Sequence, residues 1–210
     1  MFDRILIVSP HTDDGEIASG GTIARFIEEG KEVYYVAFSS CEISVPNAFL
    51  EDILKIECRN ATEILGIPTE NVILLDYEVR TFPLHRQEIL DDMIKLNEKI
   101  KPDLVLVPSS NNIHQDHKTI CAEALRAFKK TSSIWGYEHP WNNLTFTTDI
   151  FVRLEEKHIK KKIDALKQYK SQDFRPYFDE KYIKALAYTR GTHVNFIFAE
   201  TFELLRLLVR

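Results

Sequence analysis

Two short stretches of the chain hold residues equipped for chemistry. "SPHTDDGE" at 9–16 places His11, Asp13 and Asp14 within four positions, and "HQDH" at 114–117 places His114, Asp116 and His117 likewise. Each lies just past a short apolar run, "RILIVSP" for the first and "DLVLVPS" for the second. In an open parallel α/β sheet, ligands bind beyond the carboxyl ends of the strands, so two such runs in one sheet would bring both clusters to the same edge. Imidazole and carboxylate donors suit Zn²⁺, which in catalytic sites takes three protein ligands and keeps one position for water. Two histidines and one carboxylate, with a spare carboxylate nearby, form the inventory of metal-assisted hydrolysis. The ion acidifies water and polarises a carbonyl, and the spare carboxylate takes a proton and hands it to the leaving group. Taken singly, each cluster has a plainer reading. Asp13 or Asp14 would serve as a helix cap, and "HQDH" as a helix start with half-exposed histidines. Their joint occurrence, both in register with strand ends, favours the metal.

The elements that must position these residues are legible as an alternation. The runs "RILIVSP", "EVYYVAFS", "NVILLD" and "DLVLVPS" are separated by helical patterns predicted at 20–29, about 47–65, about 86–100 and about 117–129. Strands apolar on both faces, alternating with helices, indicate βαβ units and a parallel sheet covered on both sides. The expected fold is α/β, a single-domain, Rossmann-like three-layer arrangement over 1–210 with a mostly parallel central sheet flanked by helices. Gly30 closes the first helix, and Gly66 with Pro68 stops the second. After residue 132 the chain becomes aromatic and β-rich in "SIWGYEHPWNNLTFTTDIFVRL". Helices are then predicted around 155–170 and 179–188, and a last strand at "HVNFIFAE", 193–200. Gly20-Gly21 does not complete the G-x-G-x-x-G fingerprint of a dinucleotide loop, and is read as a place where another element packs closely on the helix.

Composition narrows the function classes. The chain has 210 residues, 44% of them hydrophobic, and a formal net charge of −5. It can therefore bury a substantial core, and it offers no basic field to draw a nucleic acid or an anionic membrane. Three widely spaced cysteines, Cys41, Cys58 and Cys121, suit reduced thiols better than a disulfide framework. The N-terminal residues do not read as a signal peptide, and no segment approaches the roughly 18 apolar residues of a membrane span. The expected compartment is the cytoplasm.

"SPHTDDGEIASGGTIARF" resembles the signature of the PIG-L/LmbE family of zinc-dependent N-deacetylases, usually A-H-P-D-D-E-E-I-G-C-G-G, and "HQDH" resembles that family's H-P-D-H. "KKIDALKQYKSQ" at 161–172 and "RGTHVNFIFAETFE" at 190–203 resemble its later segments, so the likeness spans nearly the whole chain. The resemblance implies that His11, Asp14 and His117 hold Zn²⁺, or another divalent ion, and that Asp13 is the general base and acid. It further implies that His114, as a cation, steadies the oxyanion, with Asp116 orienting it and keeping it protonated. Thr12, Gly15 and Ala18-Ser19 depart from the usual signature, and Gly15 is expected to leave room at the pocket floor. The substrate so implied is an N-acetylated amino sugar or glycoconjugate, often carrying N-acetylglucosamine, which would release acetate. Arg80, Arg86, Tyr137 and Trp141 are candidate contacts, because guanidinium groups bond hydroxyl or phosphate oxygens and aromatic faces stack on sugar rings. Two alternatives stay open: another small N-acyl metabolite, such as a thiol conjugate or antibiotic intermediate, and a metal- or sugar-binding protein without catalysis. The likeness also makes homo-trimers or hexamers an expectation, with aromatics of 134–152 as an interface.

Overall fold

The computed structural model describes residues 2–209. Strand β1 (Arg4–His11) shows why the chain needs three layers. Ile5 and Ile7 enter one core, Leu6 and Val8 another, and all four are fully buried. A strand apolar on both faces needs cover on both faces.

The cover comes from the helices that succeed β1, β2 (Glu32–Ser39), β3 (Val72–Leu74) and β4 (Leu104–Pro108). These are α1 (Asp14–Glu28), α2 (Ile53–Leu65), α3 (Arg86–Ile100) and α4 (Gln115–Phe128). Strands β5 (Ser133–Tyr137) and β6 (Ile150–Leu154) come next, then α5 (Glu156–Leu166), α6 (Glu180–Thr192) and β7 (Phe198–Arg206). The seven strands form one sheet in the order β3-β2-β1-β4-β5-β7-β6. The first five strands are parallel, and β7 runs antiparallel between β5 and β6. Side chains of α1, α2, α5 and α6 pack with Ile5 and Ile7, while those of α3 and α4 pack with Leu6 and Val8. The expected α/β class and mostly parallel sheet are thus what the chain forms. Among the described residues no helix is long and apolar enough to cross a membrane.

Three element starts differ from the sequence reading by five residues or more, each for a local reason. Helix α1 begins at Asp14 rather than residue 20, because its first turn is separated from the rest by non-helical Ser19 (φ −133°, ψ 16°). The segment after Ser19 starts afresh, and its Gly21 and Thr22 amides donate to the Glu200 carboxylate at 3.1 and 2.6 Å. Glu200 also pairs with Lys162 at 2.6 Å, and both are buried. The two glycines permit this approach: a Cβ on Gly20 would lie 2.8 Å from Lys162 Cγ, and one on Gly21 2.6 Å from Leu154 Cδ1. Helix α2 begins only at Ile53, since turns occupy the residues before it. The last strand starts at Phe198, not 193, because Val194 and Phe196 turn back to donate to the Gly191 carbonyl.

The Glu200 cluster is a strong stability element because it satisfies a buried ammonium and two helix amides at once. Glu200→Ala is expected to lower the unfolding free energy by about 3–5 kcal/mol, the cost of stranding a buried charge. Asp164→Ala, which removes the exposed pair with Lys160, should cost well under about 1 kcal/mol. Urea denaturation of the two variants measures the difference.

Candidate active site

Parallel pairing of β1 with β4, from Ile5 opposite Leu104 to Ile7 opposite Leu106, sets the two strand tips side by side. The turn leaving β1 is held from beneath. Ser9 Oγ donates to the His11 carbonyl (2.7 Å) and accepts the Gly15 amide (2.8 Å). The Thr12 carbonyl accepts from the hydroxyls of Tyr35 (2.9 Å) and Tyr169 (2.5 Å), which also bond the buried Glu16 carboxylate. Gly15 leaves no room at the pocket floor, contrary to the sequence reading. The space is filled by the Tyr35 ring, whose Cε2 would lie 2.7 Å from a Cβ there.

On this scaffold three donor atoms converge. His11 Nδ1 lies 3.0 Å from Asp14 Oδ2, His117 Nε2 lies 3.2 Å from the same oxygen, and the two nitrogens are 3.4 Å apart. A tetrahedral ion with bonds of about 2.0–2.1 Å separates its ligand atoms by about 3.3 Å, so the three atoms form one face of such a tetrahedron. The other nitrogen of each ring is engaged: His11 Nε2 is 3.0 Å from Asp116 Oδ2, and His117 Nδ1 is 3.1 Å from the Asn112 amide. The carboxylate contact fixes the tautomer and orientation of His11 for ligation through Nδ1, and the Asn112 contact holds the His117 ring in place. Both the donor chemistry and the geometry therefore fit a divalent metal. His114 is a further nitrogen within 4.8 Å of both rings, and His139 completes a second group with Asp14 and His117. The tighter spacing singles out His11, Asp14 and His117.

Asp13 occupies the N-cap position of α1 without making a capping hydrogen bond, which removes the plainer reading for it. Half-buried, it lines the cleft instead. Burial, reinforced by the charge of Asp14, raises its pKa to about 6. Burial would also raise Asp14, but His117 and His11 outweigh it and hold that carboxyl well below the usual range.

The structure redraws the relation of His114 to Asp116. The Asp116 carboxylate, fully buried, serves His11 and accepts the Arg80 amide (2.6 Å). It stands 4.0 Å from His114 Nδ1, which accepts the backbone N–H of Asp116 at 3.2 Å. A nitrogen that accepts an N–H carries no proton, so this imidazole is neutral and protonated on Nε2. Burial, then the charges of His117 and His11, push its pKa down to about 4. The cationic His114 implied by the resemblance would need a proton on Nδ1, the atom that accepts this N–H.

A cleft of about 300 Å³ opens over these groups, at the lower end of typical small-ligand sites. Arg80 and Trp141 line it, as the sequence reading expects. Arg86 and Tyr137 do not. Arg86 is drawn to Glu123 of α4 (Nε to Oε1 2.7 Å), and Tyr137 is a fully buried strand residue whose hydroxyl donates to the Val8 carbonyl (2.9 Å). Four residues near the site escaped the sequence reading. Gln172, Arg175 and Tyr177 line the cleft from the segment after α5, where no strand end marks them. His139 is fully buried with Nε2 3.2 Å from the Asp14 carbonyl, and burial lowers its pKa to about 4. It lies just past β5, a strand-tip position of the kind that singled out His11 and His114.

The family description "PIG-L: GlcNAc-PI de-N-acetylase" matches residues 6–128, more than half of the chain. The chain belongs to the PIG-L family. It is 28% identical over 174 residues to the uncharacterized deacetylase YaiS of Escherichia coli (strain K12), covering 80% of this chain and 90% of that protein. Among solved structures, it superposes on a conserved protein of Thermus thermophilus with a TM-score of 0.80 at 23% identity, covering 100% of this chain and 98% of the other. The N,N'-diacetylchitobiose deacetylase of Pyrococcus horikoshii superposes with a TM-score of 0.81 at 21% identity, covering 98% and 84% respectively. This PIG-L chain is accordingly an enzyme of the deacetylase type, a hydrolase of amide bonds.

Loss of the outer contact should be visible in metal binding. Asp116→Asn is expected to weaken divalent-metal affinity about 10–100-fold, whereas Arg86→Gln should leave it unchanged. Competition against a chromogenic chelator measures both.

Proposed function

We propose that the protein is a zinc-dependent N-deacetylase that hydrolyses the acetamide of an N-acetylated amino sugar or glycoconjugate, releasing acetate and the free amine. The observation that carries this reading is the convergence of His11 Nδ1, Asp14 Oδ2 and His117 Nε2 within 3.0–3.4 Å, with Asp13 beside them in the cleft wall. Those three residues would hold the ion. When bound, zinc lowers the pKa of a water molecule and polarises the amide carbonyl.

The chain's own residues supply the rest. Asp13, with a pKa raised toward neutrality, can both take the proton of the attacking water and return it to the amine nitrogen as the C–N bond breaks. Asp14 stays ionised beside two imidazoles and is not free for that exchange. His114 presents a neutral Nε2–H to the cleft, a donor suited to the oxygen on which negative charge develops. His139, neutral and buried, donates from Nε2 to the Asp14 carbonyl and so steadies the strand of backbone that carries both aspartates. Trp141, stacked on Tyr177 at 4.0 Å with an interplanar angle of 7°, gives the cleft an aromatic wall for a sugar face. The deacetylation of diacetylchitobiose by a structural relative supports the sugar as substrate class.

Asp13→Asn should retain its zinc while acetate release from N-acetylglucosamine derivatives falls about 10²–10⁴-fold. His114→Ala should lose about 10²–10³-fold in kcat with its metal also intact. Metal analysis beside an acetate-release assay separates the roles, and full turnover by zinc-loaded Asp13→Asn would reject the assignment.

A further inference from the structure

Arg175 lines the cleft, and its charge opposes the rise in the Asp13 pKa. Its guanidinium is clamped on two sides by neutral acceptors: Nε donates to Gln172 Oε1 at 2.6 Å and Nη1 to the Tyr177 hydroxyl at 2.7 Å. The rings of Phe174 and Tyr177 lie against it, 5.3 and 5.8 Å from centroid to Cζ. Among the described residues no carboxylate pairs with it, whereas Arg4, Arg25, Arg86, Arg126 and Arg190 all meet one. The clamp is itself anchored. Gln172 is buried, and its neighbour Ser171 gives its amide (2.9 Å) and hydroxyl (2.6 Å) to the buried Glu57 carboxylate of α2. A half-buried guanidinium held rigidly by neutral groups, with Nη2 left over, is preorganised for an oxyanion, because the cost of ordering it is met before a ligand arrives. Among the described residues, none clamps the side chain of Arg80, which lines the same cleft.

We propose that Arg175 forms an anion subsite, and that the physiological substrate is an N-acetyl amino sugar bearing a phosphate or carboxylate group near the ring. This rests on the deacetylase reading and deepens it. Trp141 and Tyr177 take the ring, Asp13 and the ligand cluster take the acetamide, and Arg175 takes the charge. The preference for an anion is then a property of this subsite and separable from bond cleavage.

The test measures binding of four product-like amines to the zinc-loaded protein by calorimetry: glucosamine, glucosamine 1-phosphate, glucosamine 6-phosphate and muramic acid, whose charge is a carboxylate. At least one anionic amine should bind about tenfold or more tightly than glucosamine, and raising the salt concentration should shrink the difference. The winning probe distinguishes phosphate from carboxylate. Arg175→Gln should abolish the preference, with glucosamine affinity changing far less than that of the anionic amine, and Arg175→Lys should restore part of it. Equal affinity for all four amines, binding of none, or a preference that survives in Arg175→Gln would overturn the subsite. Acetate release from the N-acetylated counterparts is scored separately. A protein that discriminates among the amines yet cleaves no acetamide contradicts the deacetylase reading and leaves the subsite standing.

Discussion

The parallel hydrogen bonding of β1 to β4 is the constraint on which the site depends. About a hundred residues separate His11 from His117, yet the register from Ile5–Leu104 to Ile7–Leu106 fixes where both strands end. Slippage by one residue would turn Ile5, Ile7, Leu6 and Val8 to the wrong layers, so the packing of two cores enforces the register. Donor atoms 3.0–3.4 Å apart tolerate little displacement. Core packing is in this sense the source of site precision.

A second layer of precision comes from late in the chain. Tyr169 reaches across 157 positions to the Thr12 carbonyl, one residue before Asp13, and Ser171 anchors to Glu57. A single short stretch thereby ties the turn bearing both aspartates, helix α2 and the Arg175 clamp into one rigid body. The buried Glu16 is part of the same arrangement. Burial raises its pKa to about 8, and it meets tyrosine hydroxyls rather than a cation, so the region beneath the site is polar without adding a competing charge pair.

The division between what was legible in the sequence and what was not tracks sequence separation and periodicity. Both faces of β1 are apolar, so the sheet, its parallel sense and the convergence of the two clusters could be read from local pattern plus one topological rule, whereas the choice of His11, Asp14 and His117 within them came from the family resemblance. The start of α1 could not, because the small residues around Ser19 conceal a first turn. Only Glu200, far along the chain, makes that break acceptable, by capping the Gly21 and Thr22 amides where the helix resumes. Tyr137 and Arg86 were misjudged because residue type says nothing of where a side chain ends. The Tyr137 hydroxyl finds the Val8 carbonyl inside the core, and Arg86 finds Glu123. Gln172, Arg175 and Tyr177 lie in a segment with no strand tip to mark it, and the cleft acquires them only through the Glu57 and Thr12 anchors.

The partnership between Asp116 and the histidines shows how a motif conceals its own wiring. The family resemblance of "HQDH" implies that Asp116 serves its neighbour His114. On a helix start, however, the Asp116 side chain reaches across to the neighbouring strand's His11, while only its backbone N–H meets His114 Nδ1. The two contacts have opposite electrostatic consequences. A carboxylate on His11 Nε2 strengthens that ring as a donor at Nδ1. A backbone donor on His114 Nδ1 excludes the proton there and leaves a neutral Nε2–H facing the cleft. A neutral donor is what the backbone contact on Nδ1 sustains in this structure, and in the proposed reaction it would offer the oxyanion a dipole fixed in advance rather than a charge that the site must first acquire.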